Sequence, residues 1–105
     1  MYLTSFLQNN ELTIILNGEI DHHSAKNYML SITAKLEAYM PKICILDFQD
    51  VTFMDSSGIA VVISTLRQMN RLDGCLYLSG VRDQPRKVFR AAGIDKLVNT
   101  KEGVS

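Results

Sequence analysis

The feature that most constrains the fold of this chain is an apolar run of strand length near its centre. Residues 42–48 contain the uninterrupted sequence Ile43-Cys44-Ile45-Leu46 and end at Phe48. Hydrophobicity that does not alternate is typical of a central strand that is covered on both faces, as in a parallel sheet. We therefore expect residues 42–48 to lie in the middle of a sheet, with structure packed on both sides.

Strand and helix patterns alternate along the rest of the chain. Strands are predicted at 2–9 and 11–17, joined at Asn9-Asn10, because asparagine tolerates the left-handed backbone of a tight turn. Gly18 interrupts the second strand, and residues 19–23 are expected to form a polar loop. The other predicted elements are helices from Asp21 or Ser24 to about Tyr39, from about Ile59 to Arg71 and over 83–92, and strands at 75–78 and 96–99. This order indicates an α/β protein with a mixed sheet and right-handed crossovers.

The candidate core includes apolar stripes on two of the helices, defined by spacings of three and four residues. The first stripe contains Tyr28, Ile32, Leu36 and Tyr39, and the second contains Ile59, Val62, Ile63, Leu66 and Met69. Cys44 and Cys75 lie in apolar runs without a CxxC spacing. We therefore expect both cysteines to be buried, reduced thiols, as in a cytosolic protein.

Length and composition limit the classes of protein that the chain can represent. It has 105 residues, 47% of them apolar and 21% charged, with eleven basic and eleven acidic side chains. This composition excludes a disordered or collagen-like chain, and the length excludes an enzyme with separate cofactor and substrate domains. A zero net charge provides no general attraction to nucleic acid or membranes. The N-terminus lacks a signal-peptide pattern. The longest apolar run, Ile59–Ile63, is too short to cross a bilayer. We therefore expect a single-domain cytoplasmic protein.

The strongest indication of function is the segment Asp55-Ser56-Ser57-Gly58, which follows an apolar stretch and precedes the second helix. The first amides of a helix have no partner within the helix, and the helix dipole favours a negative charge there. Two interpretations are open at this point. Either Asp55 or Ser56 caps the helix and does nothing more, or a serine accepts a phosphate that the helix end stabilises.

Catalytic and metal-binding alternatives have less support. The segment is neither the G-x-S-x-G turn of serine hydrolases nor a P-loop. The two histidines of the chain, His22 and His23, are adjacent and lack further ligands at metal-binding spacing. The basic residues between Arg82 and Arg90 have ordinary helix-surface spacing without interleaved aromatic side chains, so they do not indicate nucleic-acid binding. We expect no catalytic residue, no metal and no cofactor.

Two separated stretches resemble one known family. Residues 18–25 read Gly-Glu-Ile-Asp-His-His-Ser-Ala, and residues 53–59 read Phe-Met-Asp-Ser-Ser-Gly-Ile. Together, and with strands and helices in the same order across nearly all of the chain, they resemble the anti-sigma factor antagonists, which are built on the STAS domain. They most resemble the sporulation type, which opposes an anti-sigma F factor. The resemblance implies a single STAS domain over residues 1–105, an α/β fold with a mixed sheet of about four to five strands and helices packed mainly on one side.

The resemblance also implies a regulatory protein that is not an enzyme. In this family the unphosphorylated antagonist binds an anti-sigma factor that is also a serine kinase, and this binding frees the sigma factor. Phosphorylation of one serine ends the interaction, and a separate serine phosphatase restores it. ATP and magnesium belong to the kinase, so the resemblance implies no cofactor in this chain.

By its position in the motif, Ser56 is the phosphate acceptor that the resemblance implies. Asp55 and Ser57 would then shape the acceptor site, and Gly58 would let the kinase approach the backbone. The implied partner surface comprises Asp21, Ser56, Ser57 and Ile59. We expect the start of the helix to absorb the charge of the phosphate, so that the fold survives and the interface is disrupted.

Two other functions stay open. An antagonist of the general stress response would share the fold and mechanism but bind a different partner. A STAS module that binds a nucleotide or a small anion would use the start of the same helix. Relatives of the sporulation type continue into a further C-terminal helix, which we expect to be short or missing here because few residues follow Asn99.

Overall fold

One mixed sheet forms the framework of the computed structural model, which describes residues 3–101. Its elements in chain order are β1 (Thr4–Gln8), β2 (Glu11–Ile20), α1 (Ala25–Tyr39), β3 (Ile43–Met54), α2 (Ser57–Arg71), β4 (Cys75–Ser79), α3 (Asp83–Ala91), a 3-10 turn (Ile94–Lys96) and β5 (Asn99–Lys101). The strands lie in the order β1-β2-β3-β4-β5. β1 is antiparallel to β2, and every other pair is parallel. The predicted α/β fold with a mixed sheet is confirmed.

The first two strands form the predicted hairpin. Asn9 and Asn10 have φ angles of 52° and 66°, which places both in the left-handed region that a two-residue hairpin turn requires. Gln8 and Glu11 are paired directly on either side of this turn. Because two adjacent asparagines determine the turn, the sequence was sufficient to predict it.

Gly18 does not end β2, so the prediction that residues 19–23 form a loop is wrong for Glu19 and Ile20. Gly18 has a φ of 77°, and the register between β2 and β3 shifts on either side of it, between Ile15 and Asn17 and between Gly18 and Glu19. At each shift β3 advances by one extra residue, as in a β-bulge. The distorted strand thereby stays paired with β3 as far as Ile20.

The core lies between one face of the sheet and the three helices. Alternate strand residues point into it, including Leu12, Ile14 and Leu16 of β2 and Leu76 and Leu78 of β4. α1 and α2 add Tyr28, Ile32, Leu36, Val61, Val62 and Met69. α3 contributes Phe89, whose ring meets that of Phe48 edge to face with 5.3 Å between the centroids. The helices therefore pack on one side, as expected.

The opposite face of the sheet has no helix against it within the described chain, so the expectation that β3 is covered on both faces is wrong. Ile45 is only 7% exposed, yet it is outside the core cluster. Its register neighbours Thr13 and Tyr77 flank it on the adjacent strands. Neighbouring side chains on the sheet surface thus shield Ile45 without a second layer.

Three further expectations about burial differ from the structure. Tyr39 is 50% exposed because α1 ends beside it, where Met40 adopts left-handed backbone with a φ of 42°. In α2, Ile59, Ile63 and Leu66 are only partly buried, and the fully buried positions include Val61 and Thr65 instead. Cys44 is buried as expected, but Cys75 is exposed because it begins β4 on the uncovered face.

The C-terminal elements also differ in position. Arg82 is the N-cap of α3, and Asp83 lies in the first turn of this helix. The last strand is Asn99–Lys101 and not 96–99 as predicted. Gly93, with a φ of 74°, leads into the 3-10 turn Ile94–Lys96, which occupies the start of the predicted strand. The expected short or missing terminal helix concerns residues that lie outside the described range. Within residues 3–101, no helix is both long and apolar enough to span a bilayer.

Candidate functional site

The two segments that the sequence singled out meet at the carboxyl ends of adjacent parallel strands. Ile20 pairs with Met54 at the ends of β2 and β3. The backbone N–H of Asp55 donates to the carbonyl of Ile20 over 3.1 Å. Since the chain leaves both strands at this edge, the loop that begins at Asp21 lies beside the loop that contains Ser56. Such edges are the usual ligand-binding position of α/β sheets.

Asp21 organises the first of these loops. Its Oδ1 atom accepts hydrogen bonds from the backbone N–H groups of His23 at 2.9 Å and Ser24 at 3.0 Å. The Ser24 hydroxyl accepts from the Asp21 N–H and donates to the Glu19 carbonyl, each over 3.0 Å. The backbone hydrogen bond from Ser24 is the largest factor that lowers the pKa of Asp21 below its ordinary value. Asp21 is therefore an ionised carboxylate at the edge of the sheet, held by the start of α1.

Asp55 caps α2, and Ser56 does not. The Oδ1 atom of Asp55 accepts the N–H of Ser57 at 2.8 Å. The Gly58 N–H donates to the Asp55 carbonyl over 3.0 Å, and the Ile59 N–H donates to the Ser56 carbonyl over 3.1 Å. Three amides at the start of α2 thus have partners inside the domain. The capping role left open for Asp55 is therefore confirmed, and these three amides are not free to bind an anion.

The two serines of the segment differ in exposure. Ser56 is exposed at the N-cap position of α2, and its side chain makes no capping hydrogen bond. Ser57 is partly buried in the first position of the helix. Because Asp55 does the capping, the Ser56 hydroxyl is accessible at the surface.

Gly58 has a packing role inside the domain. It is buried, and a Cβ atom at this position would lie 2.2 Å from Cγ and 2.3 Å from Sδ of Met54. Met54 is itself fully buried. The missing side chain therefore allows the start of α2 to pack against the end of β3.

Gln84 is the site residue that sequence reasoning missed. Its Oε1 atom accepts the Met54 N–H over 2.8 Å, and its Nε2 atom donates to the Met54 carbonyl over 2.9 Å. The pairing of β3 with β4 ends at Asp47 and Ser79. The amide side chain thus takes the place that another strand would have beside Met54, satisfying two backbone groups that need partners. No local pattern indicates a contact between positions so far apart.

A groove of about 460 Å³ lies between the start of α2 and α3. Its lining is mainly apolar and consists of Ser56, Ile59, Gln84, Lys87, Val88, Ala91 and Ala92. The structure thus brings two of the predicted partner residues, Ser56 and Ile59, to one surface groove. Asp21 is not part of its lining and belongs to the neighbouring loop.

The histidines do not assemble into a larger cluster in the described part of the chain. The rings of His22 and His23 meet edge to face with 5.7 Å between their centroids, and both side chains are exposed. Among residues 3–101, no group of three or more His, Cys, Asp or Glu side chains is arranged to hold a metal ion.

The mixed sheet with its helices on one face defines a two-layer α/β domain. Residues 6–105 match the STAS domain family, and the chain belongs to that family. It is 30% identical over 83 residues to an anti-sigma F factor antagonist of Lysinibacillus sphaericus, covering 79% of this chain and 71% of that protein. It is 33% identical over 58 residues to an anti-sigma-B factor antagonist of Staphylococcus aureus, covering 55% of this chain and about half, 54%, of that protein.

Solved structures show the same fold. The unphosphorylated form of the anti-sigma factor antagonist SpoIIAA has a TM-score of 0.81 at 24% identity, covering 97% of this chain and 90% of the other. The phosphorylated form of SpoIIAA from Bacillus has a TM-score of 0.72 at 24% identity, covering 97% of this chain and 93% of the other. At this level of identity the likeness concerns the fold.

Proposed function

We propose that this chain is an anti-sigma factor antagonist controlled by phosphorylation of Ser56. In the unphosphorylated form it binds an anti-sigma factor that is also a serine kinase, and the sigma factor is released in the cytoplasm. The kinase transfers the γ-phosphoryl group of ATP to Ser56 Oγ, ADP leaves, and the hydroxyl proton is lost. A serine phosphatase hydrolyses the phosphate and restores binding. The names of the relatives and the existence of a phosphorylated SpoIIAA support this proposal.

The observation that carries the proposal is the position of Ser56. Its hydroxyl is exposed and is not used for capping, whereas Ser57 is partly buried with its amide bound to Asp55. A kinase needs an accessible hydroxyl, so Ser56 is the better acceptor. Phosphorylation adds roughly 1.5 to 2 negative charges at neutral pH.

The partner surface in this proposal comprises Asp21, Ser56, Ser57 and Ile59. Asp21 supplies a fixed negative charge for a cation of the partner, and Ile59 supplies apolar contact in the groove. A phosphate among groups arranged around a neutral hydroxyl disrupts this interface. Like-charge contacts across an interface cost several kcal/mol, and about 1.4 kcal/mol corresponds to a tenfold change in affinity.

We assign the chain to the sporulation type, because its similarity to the anti-sigma F factor antagonist extends over a larger share of both proteins. The anti-sigma-B factor antagonists make the stress-response type the second candidate, since their identity over the shorter aligned region is slightly higher. Binding assays with one anti-sigma factor of each type distinguish the two candidates.

Intact-mass spectrometry after incubation with the anti-sigma F kinase, ATP and magnesium tests the switch. We expect one added phosphate on the wild type and on Ser57→Ala, and none on Ser56→Ala. Ser56→Ala should still bind the kinase. Phosphate on Ser56→Ala would overturn the choice of acceptor. If the wild type stayed unmodified, a thermal shift with GTP, GDP or a small anion would instead favour the ligand-binding alternative.

A further inference from the structure

Lys87 lies on the face of α3 that is turned toward Ser56. Gln84 fixes this face, because its side chain is bound to the backbone of Met54, two residues before Ser56. Residues three and four apart share one side of a helix. Lys87 and Val88 follow Gln84 at these spacings and line the same groove as Ser56.

A phosphate on Ser56 would need a new partner inside the domain. The N–H groups of Ser57, Gly58 and Ile59 are already bound to Asp55 or Ser56. The carboxylate of Asp55, directly before the serine, adds negative charge at the same place. Among the described residues that line the groove, Lys87 carries the only charge.

We propose that Lys87 is the counter-ion of phosphorylated Ser56. This inference rests on the proposed function and names a device that regulates the same site. The ammonium group of Lys87 and the phosphate pair across the groove, which brings a bulky ion pair over Ile59 and Val88. The apolar floor that the unphosphorylated form offers to a partner is thereby covered. Phosphorylation then blocks the groove sterically as well as by charge.

The test is a phosphorus NMR titration of protein carrying phosphoserine at position 56, introduced during translation by amber suppression. No kinase is needed, so the result is independent of whether the proposed kinase modifies this chain. The charged and titratable groups on the elements beside Ser56 include Lys87 on α3, Asp55 before α2, and Asp21, His22 and His23 on the adjacent loop. Of these groups, only Lys87 is changed in the test. Lys87→Gln is compared with Arg90→Gln, which removes the same charge from an exposed residue of α3 outside the groove lining.

The second pKa of phosphoserine is ordinarily about 6. A nearby cation favours the dianion, so we expect Lys87→Gln to raise the titration midpoint by about half a pH unit at low salt. Arg90→Gln should raise it much less, and high salt should shrink the difference because exposed pairs are screened. Equal midpoints for the two variants, with both proteins folded by circular dichroism, would overturn the role of Lys87. An absence of kinase-dependent phosphorylation would overturn the proposed function instead and leave this result unaffected.

Discussion

The side chain of Gln84 holds both backbone polar groups of Met54, accepting its N–H over 2.8 Å and donating to its carbonyl over 2.9 Å. One residue of α3 thus completes the hydrogen bonding of β3 at the point where β4 no longer runs beside it. Met54 immediately precedes the segment that contains Ser56. The contact thus ties α3, which forms one side of the groove, to the end of β3.

Gln84→Leu should destabilise the domain. The substitution leaves two partly buried backbone groups without their partner, and each such group costs about 1–3 kcal/mol. Gln84→Glu should fall between the wild type and Gln84→Leu, because an ionised carboxylate accepts from the Met54 N–H but cannot donate to its carbonyl. Urea unfolding of the three proteins measures the effect. Gln8→Leu, on an exposed residue of β1, is the control; equal losses in Gln8→Leu and Gln84→Leu would contradict the role of this contact.

Gly58→Ala should also destabilise the domain, because the new Cβ would overlap the side chain of Met54. Overpacking of this kind typically costs about 1–3 kcal/mol, against a gain in helix propensity of about 1 kcal/mol from replacing glycine. The loss should disappear in a Met54→Ala background, where space is available. A double-mutant cycle of unfolding free energies tests this coupling, and additive effects would show that Met54 is not the obstacle.

The stability contributed by Asp21 should depend on pH. Its pKa is lowered in the folded state, chiefly by the hydrogen bond from the Ser24 N–H. The ionised form therefore stabilises the fold at pH values above the unfolded pKa of about 3.9, and this stability is lost as pH falls through the lower folded value. The wild type should be more stable than Asp21→Asn near neutral pH, and the difference should shrink below about pH 4. Thermal melts across this range provide the comparison, and a difference that grows on acidification would be the opposite result.

The two cysteines should differ in reactivity. Burial raises the pKa of the Cys44 thiol to about 12, and Cys44 is fully buried whereas Cys75 is exposed. Because the thiolate is the reactive form, a thiol reagent should modify one cysteine in the native protein and both in denaturant. Cys75→Ser should abolish the native reaction. Rapid labelling of Cys44 in the folded protein would contradict its burial.

The features that could be predicted from the sequence are those set by neighbouring residues. Asn9-Asn10 specifies its own turn, and Asp55-Ser56-Ser57-Gly58 marks the start of a helix. The contact of Gln84 with Met54 depends on how α3 packs, and no local pattern encodes it. The uncovered face of β3 could not be predicted either, because Ile45 is as apolar as a residue buried under a helix.

The register shifts between β2 and β3 determine where this part of the chain can change in length. Between the pairs Ile15–Asp47 and Ile20–Met54, β3 contains two more residues than β2, one for each shift. Successive residues of a strand point to opposite faces. That alternation is broken at the two shifts: Phe48, Val51 and Met54 lie three residues apart and are all fully buried, because each bulge adds one residue. Deleting the extra residue of one bulge would therefore restore ordinary alternation and keep Met54 on the core side. Viable length variants of this segment should therefore lose the extra residue of one bulge or of both, so each bulge marks a point at which such domains can shorten without turning their core inside out.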